Sequence, residues 1–144
     1  MIGVGTRHGD DAAGLRVVHA LSQVGLPEGV QVVTCERGAD LLEALGEARD
    51  VVIVDAMRSG SVPGTVRRIP AEALRSYAGL STHALGVSEA LSLVRALGRA
   101  PARIEVIGIE SGAAAYGELS SEVEAGVSEA SALVLRLCRA LLRD

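Results

Sequence analysis

At 144 residues, with a formal net charge of −4, no lysine and two tyrosines as its only aromatics, the chain excludes several functions at once. Nucleic-acid binding calls for a basic patch and for aromatic platforms on which bases stack, and neither is present. The core must be built from Val, Leu, Ile and Ala, which suits helices laid on a β-branched sheet, and the length suits one domain spanning residues 1–144.

In chain order, "MIGVG" reads as the end of a short first strand, expected to pair centrally; a truncated start would also fit its shortness. "DDAAGLRVVHALSQV" then places Leu15, Val18 and Leu21 at helical spacing. "VQVVTC" (30–35) is a second strand, and "ADLLEALGEA" a helix with Leu41, Leu42 and Leu45 on its apolar face. "DVVIVDA" (50–56) is nearly continuous in apolar residues, as befits a strand covered on both faces, and it ends in Asp55. "GTVRRIP" (64–70) follows a Pro-Gly turn, and its two arginines suit an edge strand. "SEALSLVRALG" reads as a helix, "RIEVIGIE" (103–110) as a buried strand, and "SSEVEAGVSEASALVLRLCRALL" as the last helix, with Ser120, Glu118 and Glu122 giving it an acidic, capped start. Strands alternating with helices imply βαβ units and a three-layer α/β/α architecture.

No apolar run reaches the ~20 residues of a membrane helix. The N-terminus enters a glycine loop without a signal peptide, so a soluble, cytoplasmic chain with no membrane or nucleic-acid partner is expected. Cys35 and Cys138 lie far apart with no CxxC spacing and read as buried free thiols.

The opening loop, "GVGTRHGDDAAG", looks at first like a phosphate cradle. Gly3 and Gly5 fit a dinucleotide fingerprint, but the third position is His8 and the next glycine, Gly9, comes one residue late. Asp10 and Asp11 then stand at the helix entrance, where they would repel a pyrophosphate. Glu36 is the only residue in favour of a ribose contact, and the absence of GKS or GKT excludes a P-loop. A cation fits better. In parallel sheets ligands gather beyond the carboxyl ends of the strands. There the sequence supplies the acid pair after strand one, Asp55 ending strand three, and His83 in "GLSTHALGVSEAL" ahead of a helix. Of the pair, Asp10 is expected to cap the helix. Asp55, ending a buried strand, must find a partner or bear a desolvation cost. Carboxylates and an imidazole together suit a borderline divalent metal such as nickel or zinc.

These segments resemble the hydrogenase maturation endopeptidases nearly end to end. "GVGTRHGDDAAG" is similar to that family's opening loop, "ERGADLLEAL" to its second strand and helix, and "VIVDAMRSGSVPGTVRRI" to its strand-Asp-Ala segment and Pro-Gly turn. "STHALGVSEAL" matches the Thr-His-x-x-Gly element, and "IEVIGIESGAAAYGELSSEVEAGV" the terminal strand, turn and helix. The resemblance implies a five-stranded, mostly parallel twisted sheet with "TVRRIP" as its one antiparallel edge strand. It implies an endopeptidase that removes the C-terminal extension of a nickel-loaded hydrogenase large-subunit precursor, with Asp11, Asp55 and His83 as both metal-binding and catalytic residues. The divalent metal would be nickel supplied by the substrate, with zinc or cadmium able to occupy the site in vitro. The absence of HExxH, GxSxG or a Cys–His pair leaves no conventional protease alternative. It would also fit a nickel-sensing or scaffolding module that does not cut. A hydrolase acting on peptidyl-tRNA or nucleosides lacks the basic groove or phosphate cluster it would need. A monomer is expected. The chain departs from the family at Thr6, where Asn is usual, at Arg7 and His8 in a shortened loop, and at Ser111 in place of proline.

Overall fold

The computed structural model describes residues 1–74, 86–113 and 116–144. Its strands are β1 (Ile2–Val4), β2 (Val33–Cys35), β3 (Asp50–Met57), β4 (Val66–Ile69) and β5 (Arg103–Glu110). The described helices are α1 (Ala13–Val24), α2 (Gly38–Glu47), α3 (Val87–Ala96) and α4 (Ser121–Arg143), with a 3-10 turn, Gly9–Ala12, leading into α1. The sheet runs β2-β1-β3-β5-β4, parallel except for β4, which lies antiparallel on β5 at one edge. The two-arginine segment is therefore the edge strand its charge suggests, and β1 pairs on both sides, with β2 and with β3.

Alternation along β3 assigns each residue to a layer. Val51, Ile53 and Met57 face the cluster under α2 and α3, with Leu41, Leu45, Leu91 and Val94. Val52, Val54 and Ala56 face the cluster under α1 and α4, with Val17, Leu21, Val127 and Val134. Each fully buried Val, Leu or Ile contributes about 1.5–3 kcal/mol, so among the described residues both layers hold the sheet without aromatics. Helix α1 comes unusually close because Gly14 meets strand backbone: a Cβ there would stand 2.3 Å from Val4 O and 2.4 Å from Val54 O.

Three local expectations change. The second strand is shorter than "VQVVTC", because the register sets Ile2 opposite Val33, and Val30 is taken up in a turn by its N–H to Pro27 O. Within α1 the buried face is Ala13, Gly14, Val17, Val18 and Leu21, while Leu15 is half-buried. The third strand does not end at Asp55: it continues to Met57, pairing Ala56 and Met57 with Ile109 and Glu110. Both cysteines are free and buried, and loss of solvent raises both thiol pKa values, that of Cys35 to about 11.

Candidate active site at the carboxyl ends of the strands

Asp55 lies two residues inside the end of β3, opposite Gly108 of β5. By alternation it faces the α2/α3 layer, where a hydrophobic residue would ordinarily stand. It is 0% exposed, and among the described residues neither carboxylate oxygen has a hydrogen-bond partner. Its pKa is pushed well above the ordinary carboxylate range, first by burial and second by the negative charge of Asp11. The neighbouring Ala56 N–H offsets a little of this without completing a well-formed hydrogen bond. An orphaned carboxylate at the heart of a sheet is costly, and buried groups of that kind concentrate at functional sites.

Asp11 approaches from the turn between β1 and α1. Gly5, with φ of 151°, makes the turn possible, since a Cβ there would meet Asp11 O at 2.1 Å. Thr6 then fixes the Asp11 side chain, its N–H and its hydroxyl donating to Oδ2 at 2.9 and 2.6 Å. Thr6, a departure from the family pattern, is thus a residue that orients Asp11. Two carboxylates close enough to perturb each other favour either a shared proton or a cation between them. Among the described residues no group of three or more His, Cys, Asp and Glu could hold a metal ion. The expected third ligand, His83, lies outside the described residues. The helix that follows it, α3, starts on the Asp55 side of the sheet, where Val87 is buried in the same cluster as Ile53 and Met57.

Asp10 has a different duty from its neighbour, and from helix capping. Its Oδ2 accepts the Gly112 N–H at 2.8 Å and its Oδ1 the Ser120 N–H at 2.8 Å, with the Ser120 hydroxyl also donating to it. No side-chain cap closes the start of the 3-10 turn or of α1. The carboxylate instead ties the turn carrying Asp11 to the loop before α4. Ser120 does stand at the N-cap position of α4, but its hydroxyl is turned to Asp10 instead of to the helix. His8 is exposed, and Glu36, the residue that suggested a ribose, pairs with Arg7 at 3.0 Å.

Glu110 is the residue that sequence reasoning passed over. At the end of β5 it is 2% exposed; its Oε1 accepts the N–H groups of Ser59 and Gly60 at 2.8 and 3.0 Å, and its Oε2 the Ser59 hydroxyl at 2.7 Å. This clamps the loop leaving β3 just beyond Asp55. The signal was there, since the desolvation argument that singled out Asp55 applies equally to an acid ending "RIEVIGIE". Glu110→Ala is expected to cost about 2–3 kcal/mol in urea unfolding, because it strands buried donors. Glu110→Gln should cost much less, since one amide oxygen can take both N–H groups while the Ser59 hydroxyl rotates to accept from the amide NH₂.

Residues 15–137 match the family described as hydrogenase maturation protease (HycI). The chain is 31% identical over 105 residues to the hydrogenase 2 maturation protease of Escherichia coli K12, an alignment covering 69% of this chain and 64% of that protein. It is 29% identical over 106 residues to the hydrogenase expression/formation protein HupD of Thiocapsa roseopersicina, covering 70% of this chain and 48% of HupD. The match thus spans about half to two-thirds of these curated relatives. The structure of a [NiFe] hydrogenase maturation protease, HybD from Thermococcus kodakarensis, superposes with a TM-score of 0.73 at 30% identity, covering 95% of this chain and 96% of that one.

Proposed function

The chain belongs to the hydrogenase maturation protease family, and on that premise we propose that it is an endopeptidase removing the C-terminal extension of a nickel-loaded hydrogenase large-subunit precursor. The observation that carries this reading is Asp55, fully buried, without a hydrogen-bond partner among the described residues and perturbed by the charge of a second carboxylate, Asp11, at the carboxyl ends of the strands. The donor set fits a divalent cation: two carboxylates whose mutual repulsion a positive charge would relieve, one of them with both oxygens free of other bonds. His83 is assigned as the third ligand. In this reading the nickel is the substrate's own, so only a metallated precursor seats correctly, and zinc or cadmium would occupy the same position in vitro.

A divalent ion held by Asp11, Asp55 and His83 would supply electrostatic stabilisation to a polarised carbonyl. The chain's own groups do the rest. Thr6 holds Asp11 in one orientation, and the apolar walls of the α2/α3 layer keep Asp55 dry. Carboxylates of this pair are the chemical type to take a proton as water adds to the scissile carbonyl and to return it to the departing amine. We place the reaction in the cytoplasm, and the protein acts on its precursor as a monomer. Among the described residues no helix is long and apolar enough to cross a membrane.

Incubation of nickel-loaded precursor with the protein, followed by intact mass, tests the reading. The expected result is loss of one C-terminal peptide with wild type and none with Asp55→Ala. Binding without a mass change, using precursor that a known maturation enzyme cuts, would assign the chain instead to a nickel-sensing or scaffolding role.

A further inference from the structure

The two edges of the sheet are treated differently. Strand β4 is guarded by exposed Arg67 and Arg68, the second paired with Glu105. Among the described residues strand β2 has no such guard: Val33 and the preceding Val32 are 40% and 37% exposed, and Thr34 is exposed between β1 and solvent. The hydrogen bonds show which way its backbone points. Val33 N–H donates to Met1 O at 3.0 Å and Cys35 O accepts from Gly5 N–H at 3.1 Å, so both residues are committed to β1. By strand alternation the N–H and C=O of Thr34, which lies between them, point outward along the free edge.

Thr34 also lines a groove of about 460 Å³, bounded by the 3-10 turn, by α1 and by Gly117–Leu119. Within it Arg16 and His19, one turn apart on the exposed side of α1, have no ionic or hydrogen-bond partner among the described residues, whereas Arg7 is occupied by Glu36. Gly9 and Ala12 of the groove wall belong to the same 3-10 turn that carries Asp11, so one turn links the groove to the candidate active site.

We propose that this groove is the docking site for the substrate polypeptide, which adds an extended segment to the free edge of β2 through Thr34 and sets a carboxylate against Arg16. Strand addition supplies sequence-independent backbone bonds, and the arginine supplies the selective contact. A second copy of the chain is the poorer occupant, because a two-fold contact would bring Arg7, Arg16 and His19 against their own counterparts. The inference rests on the proposed endopeptidase reading, but it can fail independently of it.

The test uses the nickel-loaded large-subunit precursor as probe. On binding, the Thr34 amide of the wild-type protein is expected to gain protection in hydrogen exchange, whether or not a peptide is released. In cleavage, Thr34→Pro, which removes an N–H unused by the sheet, and Arg16→Glu, which reverses the free charge, should each raise KM about tenfold. In both variants kcat and the melting temperature should stay near wild type. An unprotected Thr34 amide in the bound complex overturns the proposal even if cleavage proceeds. So does an unchanged KM in Arg16→Glu, which leaves the sheet intact and so separates a docking effect from misfolding. A wild-type dimer that Thr34→Pro dissolves without altering KM would overturn it in favour of a second copy. Failure to cleave, with Thr34 protected, would remove the endopeptidase reading and leave the docking groove standing.

Discussion

Asp55→Asn is expected to abolish cleavage, by at least about a hundredfold, while making the protein more stable at neutral and alkaline pH. The sign follows from proton binding. A folded-state pKa above that of the unfolded chain means the folded protein holds a proton that the unfolded chain releases above about pH 4. Wild-type stability therefore falls as pH rises from that point until the folded-state pKa is passed. Asparagine has the same shape and does not titrate. Melts across pH 4 to 8 should show the two proteins converging at the acid end and the variant ahead by about 1–3 kcal/mol at the other. A divalent cation added at pH 8 should raise the melting temperature of wild type alone. A variant less stable than wild type at pH 8, without added metal, would show that Asp55 is already satisfied.

Asp10 carries the second large effect, and here asparagine should offer no rescue. The two buried N–H groups it accepts, from Gly112 and Ser120, lie on different oxygens of the carboxylate. An amide keeps only one of those acceptors and turns an NH₂ toward the other donor. Asp10→Asn and Asp10→Ala are both expected to lose about 3 kcal/mol, lowering the melting temperature by roughly 10 °C for a chain of this size. Activity should fall with stability, because the tether positions the turn that presents Asp11. If Asp10→Asn melts within ~2 °C of wild type, the carboxylate is not holding the two loops together.

Adjacent aspartates with opposite duties explain what the sequence can and cannot disclose. The continuous apolar runs of β3 and β5, the guarded β4 edge and the misfit of an acid in "DVVIVDA" are local properties, and each is readable from its own segment. The family resemblance then chose Asp11 from the acid pair and set it with Asp55 and His83. The role of Asp10 was not readable, because its partners lie 102 and 110 residues away and depend on how α4 docks. The same holds for Glu110, which reaches 51 residues back to Ser59, and for the shortening of β2, which depends on the register with β1. Thr6 stood out as a departure from the family pattern, but its hold on Asp11 appears only once Gly5 has turned the chain.

The order of strands in the sheet also governs when the protein becomes competent during synthesis. Strand β4 leaves the ribosome about midway through synthesis, yet among the described residues its sole neighbour is β5, about forty residues later, and that strand must slot between β4 and β3. Until then the nascent chain presents the edge of β3, a run of valine and isoleucine, with no strand against it. The Asp10 tether closes only after Ser120 has emerged. Long-range closure of this kind is slow and leaves intermediates open to aggregation. A half-made chain of this design should therefore be inert, and in greater need of a chaperone than the finished one.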